Sequence, residues 1–491
     1  MYHTNDVMES RTMTTIPHEH APVIQEAIEW ALQHGFALKT GPGVATHCAF
    51  SLAPTLIDRK RFDELKSAAP LLGKLIHGVS EDYDFLQQAM APIASGDAFF
   101  GQLVDLHKEI HSQPVKRVPL LFMRSDFMDD SELGPRIIEF NGIAAGMGPF
   151  GQRAHQLHRF LQENFPAVFN QWAPSDSVAL VNNPAIAQLS FAVAKAAFQV
   201  QREFNDSEKP LFLMVVQEGE DNVYDQHLLE EGLRNAGVRT LRRTFRQLHE
   251  QLSSGENGRL LLRDHGGVDA IYLRAGYQYC DYLANDLIEQ ACCETLIQTR
   301  AFMERHRVAI NATVGQQLAT CKRVQMLLTT MPAAELTRFG LAIDEAELVK
   351  TYLGEMIPVN AESAEWFRSQ DSGLWVLKNQ GEGGGHCVFD QDIQPRLEQL
   401  QPEEYSAWSL MRRLRPAARP RSALLVRKGD AMVVDDLISE LGIFTVHIDG
   451  QAATDDNGYA GYLIRSKPST VAEGGVHSGM GAADSLATLL P

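Results

Sequence analysis

The chain has 491 residues, too many for one simple core, so two or three lobes of roughly 100–200 residues each are expected. Hydrophobic residues make up 44% and charged residues 22%, the balance of a soluble globular protein, and no stretch approaches the roughly 20 apolar residues that cross a bilayer. A formal net charge of −18, with no basic run to offset it, argues against nucleic acid and anionic membrane as partners and points to small ligands held by locally placed basic residues and backbone amides.

The first twenty residues are polar and lack the apolar run of a signal peptide, which argues against export. The cysteines are Cys48, Cys280, Cys292, Cys293, Cys321 and Cys387. They form no CxxC and no zinc spacing, as expected of reduced thiols in a cytoplasmic protein. Residues 21–40 carry apolar positions at helical spacing, and 62–113 are mostly helical in pattern. Strands are predicted at 117–123 and 136–140, then a helix over 152–164 and another over 184–203. LFLMVVQ at 211–217 reads as a buried parallel strand, and the following β-α-β-α-β order over about 205–305 predicts a compact doubly wound lobe. One helix is predicted from 314 (VGQQLATCKRVQMLL), then a strand at 374–378. SALLVR and AMVV follow as strands joined by a KGD turn, and the tail from Val471 is rich in glycine.

Four segments carry chemistry. LKNQGEGGGHCVF (377–389) runs a strand into Lys378 and then a loop with Gly381, Gly383, Gly384 and Gly385 around Glu382. Such a backbone nest suits phosphate oxygens, Lys378 adds a point charge and Glu382 suits magnesium. It is not a Walker A loop, and the glycines alone also fit a surface turn. In RIIEFNGIAAG (136–146), Glu139 and Asn141 are two apart on a strand and share a face, a pairing that suits a hard cation, or simply the polar side of an edge strand. Arg465 and Lys467 in YLIRSK share a face in the same way. They could grip a carboxylate or be a solvated pair. VVQEGEDNVYDQ (215–226) and LRAGY (273–277) lie at strand ends of the doubly wound lobe, where such folds bind ligands. Asn222 and Gln226 fall one turn apart if the next helix starts early. Gly146, Gly148 and Gly151 spell GxGxxG, but the acidic strand end of a dinucleotide fold is missing. His107/His111 and His155/His158 are read as helix-surface histidines, since no third metal ligand is evident. There is no GxSxG elbow and no Cys–His nucleophile pair.

The order RSD, IEFN, EGEDNxYDQ, RAGY, CKRVQ, LKNQGEGGG, SELGIF and RSK with EGGV resembles the eukaryotic-type glutathione synthetases from about residue 25 to 485. That resemblance implies an α/β fold, a permuted ATP-grasp with an inserted doubly wound substrate-binding lobe. Residues 1–204 would contribute metal ligands, 205–310 the substrate lobe and 311–491 the ATP-grasp region with its lid loops. It implies ATP and Mg2+ as cofactors, γ-glutamylcysteine and glycine as substrates, and a homodimer. Glu139, Asn141 and Glu382 would hold the metal. Glu139, Lys322, Lys378, Gly381, Glu382, Gly383, Gly384, Gly385, His386, Cys387, Phe389, Met411, Leu414, Glu440, Lys467 and Glu473 would form the ATP site. Arg124, Ile143, Ala144, Ala145, Gly146, Glu220, Asp221, Asn222, Gln226, Arg274, Tyr277, Arg465, Val476 and His477 would line the peptide site, with Arg124, Arg465 and Lys378 catalytic. Four departures stand out. Ala144 and Gly146 replace serines usual in the family, Phe389 a frequent tyrosine, His477 a small alanine, and Arg412–Arg413 a Glu–Lys pair. The missing hydroxyls keep open a related ligase with another dipeptide or acceptor, and a non-catalytic nucleotide-binding homologue stands beside it as the alternative from another class.

Overall fold

The computed structural model of the protein describes residues 16–287, 294–380, 387–471, 474–476 and 479–490. Within them a thirteen-stranded sheet runs through the molecule. Its axis is the long strand Val118–Asp130, which pairs antiparallel with Leu437–Ile448 along most of its length. On the far side Leu437–Ile448 pairs with Tyr459–Pro468. The opposite edge of Val118–Asp130 is shared. Val118 and Pro119 pair in parallel with Ala309–Asn311, and residues 124–130 pair antiparallel with Gly134–Asn141. From Ala309–Asn311 the sheet continues in parallel through Ala270–Leu273, Leu211–Val215 and Arg239–Arg243. This is the doubly wound part expected from the apolar runs, joined edge to edge to the antiparallel part.

Alternation along Val118–Asp130 explains the layers. Leu121 and Met123 face one core, with the helix Arg59–Glu81, while Leu120 and Phe122 face another, with the helix Ala185–Glu203. Phe122 stacks on Tyr272 of the next strand but one, 4.8 Å between centroids at 11°. Two residues on, the same face changes character, from Leu120 and Phe122 to Arg124 and Asp126. A second sheet of four strands, ordered Met356–Pro358, Ser409–Arg412, Trp375–Lys378 and Cys387–Phe389, stands apart from the large one. The two sheets hold a cavity between them.

Three expectations need correction. The helix expected over 21–40 ends at Gln33, because Gly35 turns left-handed at φ 68°, and Ala37–Gly41 becomes a strand. The single helix expected from 314 is two, Val314–Ala319 and Lys322–Thr330. Thr320 donates its hydroxyl back to the Gln316 carbonyl at 3.0 Å, and Cys321 is extended, so Lys322 opens a new helix. The paired histidines are not surface groups. His107, His155 and His158 are buried, and His158 bonds Ser485 Oγ and the Ser51 carbonyl, both at 2.7 Å. The GxGxxG glycines open the helix Gly148–Asn164, where Gly151 lies so close to the Tyr462 carbonyl that a Cβ would overlap it.

The buried histidines make stability depend on pH. Burial, reinforced by neighbouring cationic groups, pulls His107 down to about 3, His155 to about 4 and His447 to about 4. The unfolded chain titrates them near the ordinary value of about 6.5 and so takes up more protons below that pH. Their contribution is full above about pH 6.5 and is lost as pH falls towards those lower values. Urea unfolding should lose on the order of a few kcal/mol between about pH 7 and pH 4, and His447→Gln should flatten part of that slope.

Candidate active site

The cavity between the sheets measures about 690 Å³, within the usual range for a ligand pocket. Strand register brings its charged wall together. Arg124 pairs with Asn141 and Asp126 with Glu139 across adjacent strands, while Glu440 pairs with Arg465 on the other side of the sheet. Asn141 Nδ2 lies 3.4 Å from Glu139 Oε1 and 3.0 Å from Asp126 Oδ2, so the two polar residues of IEFN do share a face. Lys322, the first residue of its helix, donates to Glu139 at 3.1 Å. Arg465 lies 2.9 Å from Glu440, 2.8 Å from Asp126 and 3.9 Å from Glu139, and Lys467 lies 3.3 Å from Glu440.

Electrostatics follow from this crowding. Burial works against the Glu139 charge, yet Lys322, Lys378, Arg465 and Arg124 hold its carboxyl well below the usual carboxylate range. Burial also opposes the Arg465 charge, but Asp126, Glu440 and Glu139 hold its pKa above the ordinary value. Lys378, at the end of its strand in the small sheet, is pulled down by burial and by the like charge of Lys322. Its Nζ rests 3.4 Å from the Ile138 carbonyl.

The two ends of the cavity differ. One end is apolar, lined by Ile138, Val376, Phe389, Met411, Leu414 and Ile438, with the Arg413 guanidinium 5.8 Å from the Phe389 ring centroid. A flat apolar slot of this kind suits a purine. Lys378 and Cys387 face each other across an antiparallel pair at the mouth of the connection that holds the glycines. The other end carries Arg274, Glu220 and Tyr277. Arg274 lies 3.2 Å from Glu220 and 3.7 Å from the buried Asp225. Tyr277 accepts from Gln217 at 2.9 Å, and Asp281 fixes the loop by accepting from Gly276 N at 2.7 Å and Tyr277 N at 3.2 Å. Among the described residues, Arg274 Nε and Glu220 Oε2 are buried without a hydrogen-bond partner, and the guanidinium is balanced by the Glu220 and Asp225 carboxylates.

Most of the expected site residues meet here. Arg124, Glu139, Asn141, Ile143, Ala144, Glu220, Arg274, Tyr277, Lys322, Lys378, Cys387, Phe389, Met411, Leu414, Glu440, Arg465, Lys467 and Val476 all line the cavity. Ala145, Gly146, Asp221, Asn222 and Gln226 do not. Ala145 joins a hydrophobic core, Asp221 accepts from Lys39 N through its carbonyl, Asn222 precedes the helix Val223–Asn235, and Gln226 is buried with its oxygen 3.3 Å from Arg242. Gly146 lies beneath the Arg274 guanidinium. Gly381, Glu382, Gly383, Gly384, Gly385, His386, Glu473 and His477 fall outside the described residues. Asp126 was missed, although the i, i+2 spacing in RSD could have placed it beside Arg124. Arg412, Arg413 and Arg415 also line the cavity, and no motif in the sequence singled them out as a group.

The donor set fits a magnesium ion. Glu139 is kept ionised, and Asn141 spends its N–H on Asp126, which leaves the amide oxygen as its ligating end. No group of three His, Cys, Asp or Glu side chains that could hold a metal occurs among the described residues, and Glu382 is outside them.

Gly146 allows a direct check on the Arg274 end of the cavity. Any Cβ there would overlap the Arg274 guanidinium. Gly146→Ser should therefore displace Arg274 and raise about tenfold the KM of the substrate held at that end, with the KM of a substrate held at the other end unchanged in steady-state assays.

Residues 17–488 match the family described as eukaryotic glutathione synthase, ATP-binding domain, and the chain belongs to that family. It is 28% identical over 474 residues to glutathione synthetase of Homo sapiens, covering 94% of this chain and 95% of that one. It is 30% identical over 455 residues to the chloroplastic glutathione synthetase of Solanum lycopersicum, covering 91% and 79%. The family match and the curated relatives make this clasp of two sheets, with its ring of cations around a carboxylate, the site of an ATP-dependent ligase. Among solved structures, a glutathione synthetase-like effector from Globodera pallida superposes with a TM-score of 0.71 at 19% identity, over 96% of this chain and 97% of that chain, which shows the shared fold. No helix among the described residues is long and apolar enough to cross a membrane.

Proposed function

We propose that the chain joins γ-glutamylcysteine to glycine at the expense of ATP, through an acyl phosphate. One observation carries this reading: Glu139, Asn141, Lys322, Lys378 and Arg465 gather between an apolar slot and an end built from Arg274, Glu220 and Tyr277. The nucleobase lies in the slot. Lys322 and Lys378 neutralise phosphate oxygens, and Glu440 with Lys467 borders the sugar side. Arg124 and Arg465 orient the cysteinyl carboxylate toward the γ-phosphorus, so that a carboxylate oxygen attacks and ADP leaves. The neutral glycine amine then attacks the acyl carbon, the phosphate departs with the bonding pair, and the proton lost from the nitrogen passes to the departing phosphate. No side chain acts as a nucleophile. Magnesium held by Glu139, Asn141 and Glu382 supplies charge neutralisation at the phosphates. The glycine-rich segments 381–386 and 473–480 are assigned the task of excluding water.

In this division of labour, residues 1–204 supply metal ligands, 205–310 the dipeptide side and 311–491 the nucleotide side. The proposed setting is a cytoplasmic homodimer, in keeping with the family resemblance and with cysteines that form no disulfide among the described residues. Sedimentation tests the dimer. The reaction is tested by ADP release with γ-glutamylcysteine and a panel of amino acids, with mass analysis of the product. A glutathione mass with glycine supports the proposal. Turnover confined to another amino acid assigns a different acceptor, and ATP binding without ADP formation across the panel removes the catalytic reading. Glu382→Ala should abolish turnover and leave the melting transition in place. Near-normal activity would refute its metal role.

A further inference from the structure

Asp126 sits behind the cavity wall rather than in it. Its side chain is fully buried and does not line the pocket. Four hydrogen bonds from three side chains end on its two oxygens. Arg124 donates Nε to Oδ1 at 2.6 Å and Nη2 to Oδ2 at 2.8 Å, Asn141 Nδ2 donates to Oδ2 at 3.0 Å, and Arg465 Nη2 donates to Oδ2 at 2.8 Å. These three side chains come from three different strands, and all of them do line the cavity.

We propose that Asp126 is a positioning residue for the ligase reaction, fixing Arg124, Arg465 and the amide of Asn141 relative to one another from behind the wall. The inference rests on the reading that these three groups hold the carboxylate and the metal. The chemistry supports one carboxylate in this role. Only an acceptor with two oxygens can take both arms of Arg124 side-on and still accept two further donors. By taking the Asn141 N–H, Asp126 also sets which end of that amide points toward a cation. By bridging two arginines whose guanidinium groups would otherwise repel, it holds them at a fixed spacing. Strand geometry leaves room for this: Gly442 pairs with Asp126 across the sheet, and a Cβ there would lie 2.7 Å from Arg124 Cδ and 2.8 Å from Asp126 Oδ1.

The test uses the full chain, with Asp126→Asn, Asp126→Glu and Gly442→Ala assayed beside the wild type. Asp126→Asn replaces an acceptor by a donor opposite two arginines. It should lower kcat about a hundredfold, the scale expected when reacting groups are misplaced by about 1 Å. Calorimetric titration should show that the gain in ADP affinity given by Mg2+ is reduced about tenfold, because Asn141 no longer has a fixed orientation. Gly442→Ala keeps the carboxylate but wedges the pair apart, and should lower kcat in the same direction with a smaller effect. Asp126→Glu should recover part of the Asn loss. Two results overturn the proposal. One is kcat within twofold of wild type in Asp126→Asn. The other is parallel loss of ADP binding, turnover and cooperative melting in all three variants, which makes the group a structural strut. Wild-type turnover of γ-glutamylcysteine and glycine, measured in the same assay, tests the parent reading separately. If the wild type is inactive on them, the Mg2+-dependent ADP affinity still decides the role of Asp126.

Discussion

Glu139→Gln is expected to lower kcat by about a thousandfold while the protein still unfolds cooperatively. The carboxylate is half-buried, 3.1 Å from Lys322 and 3.9 Å from Arg465, with Lys378 and Arg124 also acting on it. Glutamine keeps the shape and removes the charge, so the cations lose their counter-charge and the proposed metal loses an anionic ligand. Removing a single preorganised charge-stabilising group typically costs a hundred- to a thousandfold, and the loss of metal affinity adds to it. The pH behaviour sharpens the test. Because the Glu139 carboxyl is held below its ordinary value, its contribution to stability is present above the unfolded value and is lost only as pH falls through the lower folded one. Glu139 protonation therefore does not set the acid limb of the wild-type pH–rate profile near neutrality. ADP release and urea unfolding across pH check both parts. Activity within tenfold of wild type would sink the assignment.

The strands of the parallel lobe were legible because they are buried on both faces and therefore read as continuous apolar runs, as in LFLMVV. Glu139 with Asn141, and Arg465 with Lys467, were legible as same-face pairs because strand alternation has a fixed period. Asp126 has the same alternation with Arg124, but nothing in the sequence says that Asn141 and Arg465 come to it from other strands. Register decides that, and register depends on the whole sheet. The helix break at Thr320 was hidden because Thr and Cys are common inside helices. It follows from a hydroxyl competing for the helix's own carbonyls. The histidines were misread because their spacing marks a helix face without saying which face is buried. The Arg274 end was only partly legible. Arg274, Glu220 and Tyr277 reach the cavity, while Asn222 and Gln226, equally plausible by spacing, are buried outside its lining.

Arg465→Met is expected to destabilise the fold by about 3–5 kcal/mol and to lower kcat at least about a hundredfold. Arg465 Nη2 is shared by Asp126 at 2.8 Å and Glu440 at 2.9 Å, with Glu139 at 3.9 Å. Asp126 is fully buried and the Glu440 side chain is 10% exposed, so water cannot replace the lost cation. Methionine would leave three carboxylates converging on an apolar group. Part of the cost is relieved by Lys467, which already lies 3.3 Å from Glu440. Arg465→Lys should recover stability better than activity, because an ammonium restores the charge that Nη2 presents to the carboxylates but has no second nitrogen to offer a ligand in the cavity. Urea unfolding gives the stability change and steady-state ADP release gives the rate. A methionine variant as stable as the wild type would show that the cluster is solvated and the arginine dispensable.

The strand Val118–Asp130 belongs to both halves of the large sheet, and the backbone meets the small sheet's flanks through single bridges, Asp130 with Pro416 and Ile137 with Leu353. A ladder of backbone bonds thus makes the floor stiff, while the roof is attached at narrow pivots. Arg124, Asn141 and Arg465 stand on strands of this one sheet and Arg274 directly follows another, so the spacing among these four side chains is set by one continuous ladder and does not depend on how the small sheet is placed.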